Sequence, residues 1–168
     1  MHVKEAIKER RAIRKYQEKE IESEKITLLK DALIWAPSAA NLQSRKFYFV
    51  FQGKKRTQLN SAFHQEWIRK VPLVIICCGD KKIITEKFGE EADKKYNPLD
   101  VAASIENLML QAVELELGTC WIGKVDAGKA KEILGLPENE KVLCAVTVGY
   151  PAEKGEKKER KNIIEEIK

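Results

Sequence analysis

Apolar residues recur at helical spacing at Val3, Ala6 and Ile7, and again at Ile26, Leu29, Leu33 and Ala36. The chain is therefore expected to open with a short helix over residues 2–11, followed by a second helix that runs to Pro37. Ser23 stands where a side-chain cap is wanted and Glu24 suits the first turn, whereas Pro37 cannot continue the hydrogen-bond ladder. Residues 37–45 (PSAANLQSR) then read as a loop. The period next switches to two: Phe47, Phe49 and Phe51 alternate with Tyr48 and Val50 until Gly53, which predicts a strand. After a weakly helical stretch over residues 54–68, Leu73 to Cys78 is an unbroken apolar run, the pattern of a central strand covered on both faces.

The second half repeats these signals. Asn97 as cap, Pro98 at the first helical position and Asp100 at the third introduce Ala102, Ile105, Leu108, Met109 and Ala112, a core helix that Gly118 closes. Thr119 to Ile122 reads as a short strand, Asp126 as the cap of a small helix ending at Leu134 and Gly135, and Val142 to Tyr150 as a last strand. Pro151 begins a charged tail, and the stretch 79–96 reads as short and polar. With no repeat and no linker, residues 1–168 are expected to form one α+β domain, a mostly antiparallel sheet flanked by helices.

Composition narrows the class. A chain of 168 residues buries enough surface to hold a core without disulfides, and 43% apolar with 34% charged residues excludes a disordered chain. The longest apolar stretch, Val71 to Gly79, falls well short of the ~20 residues a spanning helix needs, so no membrane association is expected. The charged start MHVKEAIKERR is unlike a signal peptide and points to the cytoplasm. The net charge of +5 is concentrated at the ends: residues 1–20 carry seven basic and four acidic groups, and residues 154–161 five and two. A nucleic-acid module would use such ends, but Glu is interspersed through the tail and no aromatic residue interleaves there. Cys77, Cys78, Cys120 and Cys144 lie in strand-like runs without metal or redox spacing, and with only His2 and His64 as imidazoles no metal site is expected.

The same scarcity of histidine argues against a nucleophile-and-base dyad, and the nine glycines are scattered singly, so any phosphate must be held by Arg and Lys. Arg10, Arg11 and Arg14 place three guanidiniums within five residues; taken alone they equally suit a solvated helix end. Ser38, Asn41 and Gln43 offer donors and acceptors suited to a heterocycle edge, as do many polar loops. GTCWIG is ambiguous between core and cofactor contact.

Order and spacing change the balance. RRAIRKY, then APSAANLQ, then DVAASIENLMLQAVELELGTCWIG, then VTVGYP and a basic tail together resemble the FMN-dependent nitroreductase family along nearly the whole chain. The resemblance implies a dimeric three-layer α/β/α fold and an enzyme that passes electrons from NADH or NADPH through FMN to nitroaromatics, quinones or similar acceptors by ping-pong turnover, with no catalytic side chain. Other reactions known on this fold, namely dehalogenation, oxidation and flavin cleavage, stay open. By this likeness Arg10 and Arg11 with Lys158 and Arg160 hold the FMN phosphate, and Arg14 lies along the ribityl and pyrimidine side. Pro37, Ser38, Asn41 and Gln43 belong to the loop that reaches the ring from a second subunit, and Ile122 and Gly123 approach it through backbone groups. The tail, 152–168, is expected to pack on the partner subunit of a homodimer. Two departures stand out: Ala12 replaces a Ser that touches the phosphate, and Ser44, Arg45 and Lys46 follow Gln43 where the family has Pro and an aromatic residue. Arg45 and Lys46 are expected to add positive charge at the flavin mouth.

Overall fold

The computed structural model describes residues 1–167; Lys168, the last residue of the tail, lies outside them. Four strands, β1 (Arg45–Phe51), β2 (Leu73–Asp80), β3 (Gly118–Ile122) and β4 (Glu140–Gly149), form one sheet of order β1-β2-β4-β3, antiparallel throughout. Among the described residues six α-helices surround it: α1 (Val3–Glu9), α2 (Ser23–Ile34), α3 (Lys54–Leu59), α4 (Lys81–Phe88), α5 (Ala92–Glu114) and α6 (Ala127–Leu134). None of the described helices is long and apolar enough to cross a membrane.

Strand alternation divides the core into two layers. Leu73, Ile75 and Cys77 of β2, with Cys144, Val146 and Val148 of β4, pack against Ile26, Leu29 and Leu33 of α2 and Val101, Ile105 and Leu108 of α5. Val74, Ile76 and Cys78, with Val142, Ala145, Cys120 and Ile122, face Leu59 of α3, Ala130 of α6 and Ile68 between them. The result is the expected three-layer α+β arrangement. All eight residues of β2 are buried, as its apolar run requires.

Two expectations are corrected. Glu22, not Ser23, is the N-cap of α2, and it makes no side-chain cap; Ser23 is the first helical residue. The long helix starts five residues before Asn97 and carries Pro98 inside it. Asn97 does not cap: it is fully buried, accepts the Ser44 hydroxyl at 2.7 Å and donates to Asp93 at 2.7 Å. Pro98 is exposed and deprives only the Lys94 carbonyl of its helical partner. Gly79 makes this possible, since a Cβ there would lie 2.7 Å from that of Asn97. The stretch 79–96, read as short and polar, is largely helical: Asp80 accepts the Ile83 amide hydrogen at 3.3 Å and caps α4, whose Ile84 is buried.

Candidate active site

The two basic ends of the chain meet. After α1, residues 12–17 run extended along the free edge of β3, Ala12 bridging Thr119 in parallel and the Ile13 amide donating to the Thr119 carbonyl at 2.9 Å. Tyr16 then bridges Pro151, and the Gln17 amide donates to the Tyr150 carbonyl at 2.9 Å. The tail runs back along this segment: the Ala152 amide donates to the Lys15 carbonyl, and one carboxylate oxygen of Glu153 accepts the Arg14 and Lys15 amides at 2.8 and 3.1 Å. Close approach needs glycine at Gly118, where a Cβ would sit 2.7 Å from Ile13.

The extended backbone separates the three arginines. Arg11 donates to the carbonyls of Lys8 and Arg10 at 2.5 and 2.8 Å, closing the C-terminal end of α1. Arg10 and Arg14 form no ion pair among the described residues. Both lie near Cys120, whose thiol pKa is raised by burial and pulled back by their charges. Lys158 is exposed, 3.3 Å from the Glu156 carboxylate, and Arg160 donates to the Lys158 carbonyl at 3.4 Å. Ile122 is buried at the end of β3, and Gly123 beyond it faces open space. Trp121, between Cys120 and Ile122, is 40% exposed.

The loop from Pro37 to Gln43 is shaped by left-handed backbone at Ala40, Asn41 and Gln43, with φ of 46°, 55° and 53°. Such conformations cost non-glycine residues on the order of 1 kcal/mol or more each and persist only where surroundings dictate them. The Ser38 hydroxyl accepts the Gln43 amide at 3.0 Å, and the Asn41 amide returns to the Ser38 carbonyl. Pro37, Asn41 and Gln43 are exposed. Arg45 corrects an expectation: its guanidinium does not stand at an open mouth but turns inward, 7% exposed, and donates to the carbonyls of Ile34, Ala36 and Pro37.

This loop and the arginines do not meet within one chain. The Asp80 amide donates to the Ser44 carbonyl, so the loop leaves the sheet at the Asp80 end of β2. Leu73, at the other end, pairs with Val148, next to the Gly149 that opposes Gly118 and the arginine segment. The length of β2, about 25 Å at the rise of a strand, lies between the two ends.

A three-layer α+β fold around an antiparallel sheet, with Arg10 and Arg14 lacking carboxylate partners along the β3 edge and a strained polar loop at the Asp80 end of β2, has the architecture that the resemblance of the sequence implies. The chain belongs to the nitroreductase family, whose model matches residues 7–72 and 64–150. A protein of Archaeoglobus fulgidus named for NADH dehydrogenase and NAD(P)H nitroreductase activity is 31% identical over 147 residues, covering 84% of this chain and 81% of its own. A Bacillus subtilis FMN reductase (NADPH) is 25% identical over 170 residues, covering 93% of this chain and 68% of its own. A nitroreductase of Desulfovibrio desulfuricans, solved in complex with FMN, superposes with a TM-score of 0.83 at 25% identity, covering 100% of this chain and 99% of that one.

The residues present fit FMN. Arg10 and Arg14 are free of carboxylate partners among the described residues, and Gly123 leaves room in front of its backbone. Ala12 supplies no hydroxyl, so any phosphate held here relies on guanidinium and ammonium groups.

Proposed function

We propose that the protein is a cytoplasmic homodimeric NAD(P)H-dependent FMN oxidoreductase that passes electrons to nitroaromatics, quinones or similar small acceptors. The observation that carries this reading is the separation of the two half-sites: the arginines and the Pro37–Gln43 loop stand at opposite ends of β2, so a second copy is needed to bring them together. Exposed apolar side chains favour such pairing. Val3 of α1, Trp35 after α2 and Leu99 of α5 are 71%, 79% and 62% exposed, and a groove of about 430 Å³ runs between α1, α2 and α5.

FMN, when bound, supplies the two-electron redox chemistry. Arg10, with Lys158 and Arg160 of the tail, holds the phosphate by charge-assisted hydrogen bonds, while Arg11 orders the backbone around it by tying down the end of α1. Arg14 favours negative charge on the pyrimidine side of the ring. Ile122 and Gly123 border the ring through backbone groups, and Pro37, Ser38, Asn41 and Gln43 of the second copy close it. The tail packs on that copy through Ile163, Ile164 and Ile167, all exposed in the single chain. No side chain acts as an essential acid or base.

Initial-rate kinetics with NADH or NADPH and a quinone or nitroaromatic test this function. Parallel double-reciprocal lines are expected, because donor and acceptor use the same carrier in turn. Absence of turnover by the flavin-loaded protein, or intersecting lines, contradicts it.

A further inference from the structure

The loop from Pro37 to Gln43 is held from beneath by side chains that do not themselves belong to its exposed face. Asp100, on the first half of α5, is 5% exposed, and both its oxygens accept the Ala39 amide hydrogen, at 3.0 and 3.2 Å. Arg45, at the start of β1, donates to the carbonyls of Ala36, Pro37 and Ile34 at 2.6, 3.2 and 3.3 Å. The guanidinium thus gathers the carbonyls left unpaired where α2 ends, and the carboxylate takes the amide that follows the turn. Ser44 and Asn97, both fully buried, fix the other end of the loop to α5. Between these anchors stand the three left-handed residues, Ala40, Asn41 and Gln43, all exposed; Asn41 and Gln43 are the two with polar side chains.

A buried carboxylate and a buried guanidinium are expensive to keep, and each is spent here on backbone groups of one short surface loop. The core does not need them: α5 packs on the sheet through Val101, Ile105 and Leu108. Their effect is to leave the loop a single geometry despite its strained backbone.

We infer that Asp100 and Arg45 are positioning residues that pre-organise the Pro37–Gln43 loop for cofactor binding. The inference rests on the proposed placement of that loop at the cofactor of a second subunit. A loop freed from these anchors spends only part of its time in the competent geometry, and the apparent dissociation constant rises by the inverse of that fraction. The same anchors set where Ser38 and Asn41 stand relative to the ring, so their loss changes the environment of bound flavin as well as its affinity.

The test compares wild type with Asp100→Ala, Asp100→Asn and Arg45→Lys, each verified as a folded dimer by circular dichroism and sedimentation. The readouts are the dissociation constant for FMN by fluorescence quenching and the visible spectrum of the bound flavin. Asp100→Ala is expected to raise the dissociation constant about ten-fold and to shift the flavin bands, as for a loop competent about a tenth of the time. Asp100→Asn, which keeps one acceptor oxygen for Ala39, is expected to restore most of the affinity. Arg45→Lys, which keeps the charge but cannot span three carbonyls, is expected to fall between them and carries the test if Asp100→Ala does not fold. Folded variants with wild-type affinity and wild-type spectra overturn the inference while leaving the proposed function standing. A wild-type protein that binds no FMN, or an Asn41→Ala variant that binds it unchanged, overturns the reading of the loop itself.

Discussion

Gly155 lies against Arg11 so closely that a Cβ on the glycine would sit 2.3 Å from the Cβ of the arginine. The two ends of the chain are thus in van der Waals contact three residues before Lys158. Gly155→Val is expected to push the tail off the arginine segment, lowering the melting temperature by a few degrees, as about 1 kcal/mol does for a domain of this size, and weakening FMN binding. Thermal scans with and without FMN check this; an unchanged FMN-dependent stabilisation contradicts it.

Truncation after Ala152 keeps the Tyr16–Pro151 bridge and the Ala152 hydrogen bond to Lys15, so the shortened protein is expected to fold. Its affinity for FMN is expected to fall, and replacing Lys158 and Arg160 together by Ala is expected to reproduce most of that loss at low salt. Equal dissociation constants for wild type, truncation and double variant would place the tail outside the site.

Arg10, Arg11 and Arg14 are alike in sequence but not in partners. Replacing Arg10 and Arg14 together by Ala is expected to weaken FMN binding by about 1.5–3 kcal/mol for each charge-assisted hydrogen bond removed. Arg11→Ala is expected to act more on the end of α1, because its guanidinium already serves two carbonyls there. Fluorescence titration of the double variant against Arg11→Ala separates the roles; a larger loss for Arg11→Ala reverses them.

Elements governed by local chemistry were legible in the sequence, and those governed by tertiary contacts were not. The small helix α6 follows its signals: Asp126 accepts the Lys129 amide at 3.0 Å, and Gly135 ends the helix at φ 68°. Asn97-Pro98 carries an equally good start signal, yet Asn97 is drawn into a buried network with Ser44 and Asp93, and the helix continues through it. The loop 37–43 was readable from its polar residues, but its anchors were not. Arg45 reads as a surface charge because nothing local reveals three unpaired carbonyls at the end of α2. Asp100 does leave a trace: with Asn97, Val101, Ser104 and Ile105 it lies on the inward stripe of α5, where a carboxylate needs a partner.

Glu22 accepts a hydrogen bond from the Tyr150 hydroxyl at 2.5 Å and pairs with Lys19 at 3.2 Å. The Tyr150 bond, chief among these causes, holds its pKa at about 2 against a usual value of 4.5. A depressed carboxylate stabilises the fold fully above its unfolded pKa and loses that contribution as pH falls from about 4.5 towards 2. Tyr150→Phe is expected to return the Glu22 pKa towards the usual range and to flatten the acid dependence of stability in this window. NMR titration of the Glu22 side chain checks it; an unshifted pKa in the variant assigns the depression elsewhere.

Trp35 is 79% exposed in the single chain, so Trp35→Glu is expected to cost the isolated fold little and to oppose burial between subunits. Sedimentation is expected to show a dimer for wild type and a shift towards monomer, with loss of FMN, for the variant. A wild-type protein that is monomeric and flavin-loaded at micromolar concentration contradicts the two-subunit site.

That two half-sites of a dimer together hold FMN is tested most directly by extracting the cofactor from purified protein, or from protein incubated with excess flavin. Chromatography identifies the flavin, and sedimentation of the same sample gives the state of assembly. The expected result is FMN bound to a dimer, since Arg10 with Lys158 and Arg160 of the tail suits a terminal phosphate. Recovery of FAD, or failure to retain FMN added in excess, would contradict it.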